Sequence, residues 1–120
     1  QSATLDGSDF RDCYMENADL RGSSLKDVSM TRANLRGARL SPLMFKNADG
    51  TKRIQRVNFS GADLRFASFR NADLRDTVFM GADLTQADLR ETDLRRADFT
   101  GAKLVNTNMD DANLDGTIMD

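Results

Sequence analysis

Ala62-Asp63-Leu64, Ala72-Asp73-Leu74, Ala82-Asp83-Leu84 and Ala87-Asp88-Leu89 repeat one tripeptide at intervals of five or ten residues, and that period decides the fold. A helix advances about 100° per residue, so leucines five apart would precess and smear around the cylinder. A strand has period two, so an odd spacing would place successive leucines on opposite faces. Each five-residue unit must therefore contain a turn, and the chain must be a coil of stacked repeats.

The register extends far beyond these four copies. Large central residues fall at Leu5, Phe10, Met15, Leu20, Leu25, Met30, Leu35, Leu40 and Phe45, and again from Phe59 at every fifth residue to Met119. With the central residue called i, position i−2 is small almost throughout, as at Ala18, Ser23, Ala33, Thr77, Ala97 and Thr107, with Val28, Leu43 and Val57 as exceptions. One large and one small inward residue per unit make a core of alternating sizes, and the remaining positions are mostly polar. Asp or Asn dominates i−1, and Arg is common at i+1. Gly, Asn, Asp and Arg appear at position i+2, where small and flexible residues suit a corner.

This A-(D/N)-L-x-x pattern resembles the pentapeptide-repeat family over nearly the whole chain. The resemblance implies an all-β fold, a right-handed quadrilateral β-helix of about six coils in which four repeats make one turn. Residues twenty apart would then stack at about 4.8 Å, giving a rod roughly 29 Å long. Phe59, Phe79, Phe99 and Met119 are expected to form one column and Leu64, Leu84 and Leu104 the next.

Residues 1–120 read as one domain with a register break at about 46–56. Phe45 and Phe59 are not a multiple of five apart, Gly50 stands where a large centre belongs, and Ile54 resumes the second register with Lys52 at its i−2 position. Residues 50–56 are expected to leave the coil as a loop or bulge, with Thr51–Arg56 at its heart. Lys46, Lys52, Arg53 and Arg56 make this stretch basic. A recognition loop and a tolerated insertion kept soluble by its charges both fit.

Composition excludes several functions. Histidine and tryptophan are absent, so no imidazole pair or imidazole metal ligand exists, and no catalytic, cofactor or metal residues are assigned. Cys13, the single cysteine, occupies an inward i−2 slot and reads as a small core residue. Aspartates at i−1 point outward on a convex rod, away from any cleft that would tune them for acid–base work. The net charge of −2 argues against general nucleic-acid or membrane affinity, and no apolar run spans a bilayer.

The outward charges supply the rest of the candidate surface. Arg70 stacks above Arg90 and Arg75 above Arg95, two short ladders on adjacent faces with Asp73, Asp88 and Asp93 interleaved. A solvated salt-bridged face and a docking face both fit. The expected function is a non-enzymatic scaffold, a protein–protein interaction or spacer module whose partner the sequence does not name. The resemblance also implies an alternative, since some family members mimic duplex DNA to bind DNA gyrase. The near-neutral charge fits that poorly, because a 29 Å stretch of duplex carries roughly seventeen negative charges. End-to-end self-association or flanking domains are expected to cover the coil ends. Bacterial cytoplasm, periplasm and thylakoid lumen all remain open as locations.

Overall fold

The ladder of the coil is built at position i−1. In the computed structural model, which describes residues 4–119, Ser24 bridges Asn58, Asn58 bridges Val78, and Val78 bridges Asp98, all in parallel. Gln1 and Asp120 lie outside the described residues. Each bridge shares two hydrogen bonds: Phe79 N donates to Asp98 O at 2.7 Å, and Asp98 N donates to Thr77 O at 2.9 Å. Four such columns enclose the axis, based on Thr4, Asp9, Tyr14 and Asp19. The first column holds six rungs and the others five, so the described coil makes five turns and begins a sixth.

The corners follow from the backbone. At position i+2 the chain enters the left-handed region, with φ +70° at Gly61 and +68° at Gly81. Asn71 at 63° and Asp76 at 60° do the same, as does the bulky Phe66 at 62°. A positive φ at the third residue of a four-residue turn normally takes glycine or asparagine, so Phe66 is an outlier by type though not by position. Most corners are closed by a hydrogen bond from the next i−2 amide to the i carbonyl, as from Ala82 N to Phe79 O at 3.1 Å.

This geometry sends i and i−2 inward together. Phe59, Phe69, Phe79, Leu64, Leu74 and Leu84 are wholly buried, with Ala67 and Ala97 beside them. On the first side, Phe59 and Phe79 stack at 5.5 Å, and Phe79 and Phe99 at 4.8 Å with ring planes 3° apart. Parallel rings at the rung spacing are imposed by the ladder. Phe69, from the opposite side, meets Phe59 and Phe79 edge-on at 5.8 and 6.3 Å, an arrangement the ring quadrupoles favour. Thr77 and Thr92 are buried at i−2 and donate to the carbonyls of Leu40 and Leu89. Cys13 is half-buried in its i−2 slot.

The interruption begins earlier than the sequence suggests. Leu43–Lys46 forms a strand (β1) that pairs antiparallel with Lys52–Gln55 (β2), so a hairpin leaves the coil between Ser41 and Val57. Phe45 is therefore no core centre, and Ile54 does not resume the register; Ile54 is 47% exposed. The coil itself is continuous beneath, because Leu25 N reaches Asn58 O at 2.7 Å and Leu40 N reaches Asp73 O at 2.8 Å.

Two stability predictions follow from this packing. Phe79→Ala empties the middle of the stack and should cost about 3–5 kcal/mol in chemical denaturation, whereas Phe45→Ala should cost under about 1.5 kcal/mol. Equal losses would contradict the assignment of Phe45 to the hairpin. Deleting residues 42–55 joins Ser41 to Arg56 and restores the five-residue register into Phe59. That variant should retain the circular-dichroism spectrum and melt no lower than about 4 °C below the parent.

Candidate interaction surface

The repeat places an acid at i−1 and an arginine at i+1 on one outward edge, two residues apart. Asp88 Oδ1 accepts both the backbone N–H of Arg90 at 3.0 Å and its Nε at 2.9 Å, while Oδ2 accepts Nη2 at 2.7 Å. Asp73 holds Arg75 and Asp93 holds Arg95 in the same bidentate fork. Where i+1 is a hydroxyl residue the acid does the same with one fewer bond, as Asp83 does with Thr85. The carboxylate thus closes the turn and binds the cation together. The spacing Asp-Leu-Arg carries this signal in the sequence.

The two arginine ladders are consequently neutralised where they stand. Arg75 also lies 3.9 Å from Asp93 of the next rung. Arg70 has Ser68 rather than an acid at i−1, and its Nε turns to Glu91 at 3.0 Å. The arginines hold the acids ionised: donation from the side chain and backbone of Arg11 lowers Asp9 to about 2, and side-chain donation from Arg90 and Arg95 lowers Asp88 and Asp93.

Lys46, Lys52, Arg53 and Arg56 are placed differently. Among the described residues none of the four has a carboxylate within 4.0 Å. Eleven of the seventeen Lys and Arg residues make such pairs, so these four are most of the six that do not. They do not share one face. Cross-strand register puts Met44 opposite Ile54 and Lys46 opposite Lys52 on one side of the hairpin. Leu43, Phe45, Arg53 and Gln55 occupy the other.

That second side is tied to the rod. Gln55 Nε2 donates to Gly22 O at 3.1 Å, Arg53 Nη1 donates to Gln55 Oε1 at 3.0 Å, and the Arg53 guanidinium lies 4.4 Å over the Phe45 ring. A Cβ on Gly22 would come within 3.0 Å of Leu43, so glycine there lets the hairpin lie against the corner. The hairpin tip, Asn47 to Thr51, is closed by Asn47 N to Thr51 O at 2.7 Å and by Asp49 Oδ1, which accepts Thr51 N and Oγ1. The hairpin's contacts run to Gly22 on the rung before it. The structure thus places Lys46 opposite Lys52, while Arg70, Arg75, Arg90 and Arg95 lie on the coil.

Acids held below their ordinary value stabilise the fold above the unfolded pKa of about 3.9 and lose that contribution as pH falls through the folded value. The urea midpoint should therefore be flat from about pH 7 to 5 and fall between about pH 4 and 2. A fall already complete above pH 5 would contradict the forks.

The family model for pentapeptide repeats matches residues 2–41, 58–96 and 92–120, and the unmatched gap coincides with the hairpin. A search of curated protein sequences gives no match. Among solved structures, the chain is similar to the pentapeptide repeat protein Rfr23 from the cyanobacterium Cyanothece 51142. Identity there is 16%, with TM-score 0.48, covering 98% of this chain and 88% of that one. It is also similar to a pentapeptide repeat protein of the Arabidopsis thaliana thylakoid lumen, with 28% identity, TM-score 0.40, and coverage of 96% and 63%. A third is QnrB1, a plasmid-mediated fluoroquinolone resistance protein, with 20% identity, TM-score 0.49, and coverage of 92% and 55%. The chain thus spans less than two thirds of the length of the last two. No helix among the described residues is long and apolar enough to cross a membrane. With the repeat matched along almost its whole length, the chain belongs to the pentapeptide-repeat family and is a right-handed β-helix interrupted once, by the hairpin.

Proposed function

We propose that the chain is a non-enzymatic scaffold, a rigid rod that presents a surface to a protein partner. The observation that carries this reading is the state of the outward charges. Along the coil, Asp9, Asp88 and Asp93 are held ionised by arginine donors, so they have no proton to exchange near neutrality. A rod with its coil charges largely satisfied is suited to holding shape and spacing. Its exposed apolar side chains, Met44, Phe66, Met80 and Val105 among them, are the groups that gain from being covered. Mimicry of duplex DNA is disfavoured by the same charges: duplex carries about one negative charge per 1.7 Å, and this chain is −2 in total.

Site-specific photo-crosslinking tests the reading. A photoreactive residue placed singly at Met44, Phe66, Met80, Arg90 or Arg95 in the full chain, in its cells of origin, should give a discrete protein adduct from at least one position. No adduct from any position would overturn it. A DNA gyrase supercoiling assay run alongside should show no effect at micromolar protein. Inhibition, or protection from a quinolone, would replace the scaffold with the DNA-mimic reading.

A further inference from the structure

The outward side of the hairpin is unlike any other part of the described surface. Met44 and Ile54 are directly opposite each other and 60% and 47% exposed. Next to them, toward the tip, Lys46 and Lys52 are directly opposite each other, exposed, and without an acid in reach. Like charges in a cross-strand pair destabilise a hairpin. On the rod most exposed arginines are answered by forks and inter-rung pairs, Arg36 excepted among the described residues, and Asp49, the one acid of the hairpin, is spent closing its own turn through Thr51. Met44, Lys46 and Lys52, together with Phe45 of the reverse side, line a shallow, solvent-open depression of about 120 Å³ at the hairpin's edge. The side is held outward by its reverse, through Gln55 bonded to Gly22 and Leu43 seated beside Gly22.

We propose that this side, made by Met44, Ile54, Lys46 and Lys52, docks an acidic, extended protein segment that carries an apolar side chain beside its carboxylates. The proposal deepens the scaffold reading and rests on it. Carboxylates on the segment would neutralise the repelling lysine pair, and its apolar side chain would cover the Met44–Ile54 pair. The order of groups along the hairpin decides against the other anionic surfaces. A membrane would meet Asp49 at the tip and then the lysines before any apolar group, the reverse of what insertion needs. A phosphate backbone would use the lysines and leave the apolar pair uncovered.

The test uses the full chain and fluorescence anisotropy with a labelled peptide of about twelve residues repeating Glu-Leu-Glu-Ser. Comparison probes are Lys-Leu-Lys-Ser and Glu-Ser-Glu-Ser peptides of equal length, a duplex DNA and phosphatidylglycerol vesicles. Saturable binding of the Glu-Leu peptide is expected, and stronger than to any comparison probe. Lys46→Glu with Lys52→Glu should weaken it about tenfold or more, and Met44→Ser with Ile54→Ser about fivefold. Arg90→Gln with Arg95→Gln, on the rod, should leave it within about twofold. All these side chains are outward, and an unchanged melting midpoint confirms each variant's fold. Equal binding of the Lys-Leu or Glu-Ser peptide, preference for DNA or vesicles, or indifference to the hairpin substitutions would each overturn the proposal. Crosslinks from rod positions without peptide binding would remove the hairpin proposal alone, whereas no crosslink at all removes the scaffold reading beneath it.

Discussion

Everything in this rod depends on the chain entering left-handed backbone space once every five residues. That conformation at i+2 turns the chain through a corner, and the corner makes positions i and i−2 face the axis together. It also brings each i−1 residue over the i−1 residue of the turn below, where the parallel hydrogen bonds form. The cost is borne at many non-glycine corners, Phe66, Arg32 and Arg96 included, each with φ near +60°. Such conformations are unfavourable for side-chain-bearing residues taken singly. They persist because the ladder on both sides and the buried stack beneath determine the corner from three directions.

The same geometry disposes of the surface charge. An acid at i−1 and an arginine at i+1 flank a buried centre, so their side chains emerge on one edge within reach of one fork. The fork needs no contact with another rung, which lets it recur at Asp9–Arg11, Asp63–Arg65 and Asp88–Arg90 irrespective of what stacks above. Exposed pairs of this kind add little stability individually. Their main consequence is that, among the described residues, a rod rich in arginine leaves few cations without an acid, whereas Lys46, Lys52, Arg53 and Arg56 in and beside the hairpin have none within 4.0 Å.

How much of this was legible in the sequence divides along the same line. The centres from Leu5 to Leu40 and from Phe59 onward were readable because a five-residue period has one structural solution, and the burial of Leu25, Leu64 and Phe79 is that solution expressed. Phe45 misled because it continues the spacing from Leu40 by coincidence: in β1 an alternation of two governs, and Leu43 and Phe45 share the side that faces the rod. The hairpin had a local signal in Asp49-Gly50, a dipeptide typical of hairpin turns. Its weight was masked by Ala48-Asp49, which also fits the repeat. On the candidate surface, the register placed Arg70, Arg75, Arg90 and Arg95 outward, whereas Lys46, Lys52, Arg53 and Arg56 were grouped by charge alone. Which of these four face outward was not legible, because Arg53 turns toward Phe45 through a cross-strand pairing that no five-residue register contains.

The central claim is that one continuous coil passes beneath the hairpin, joined rung to rung across a long excursion. Amide hydrogen exchange resolved by residue measures this directly. The account predicts that Leu25, Met30, Leu35 and Leu40, whose amides donate to Asn58, Asp63, Ser68 and Asp73, exchange together with Phe59, Leu64 and Phe69 as one slow block. Amides of β1 and β2 should exchange faster, by local opening. Separate slow blocks on either side of the hairpin, with distinct opening free energies, would contradict it.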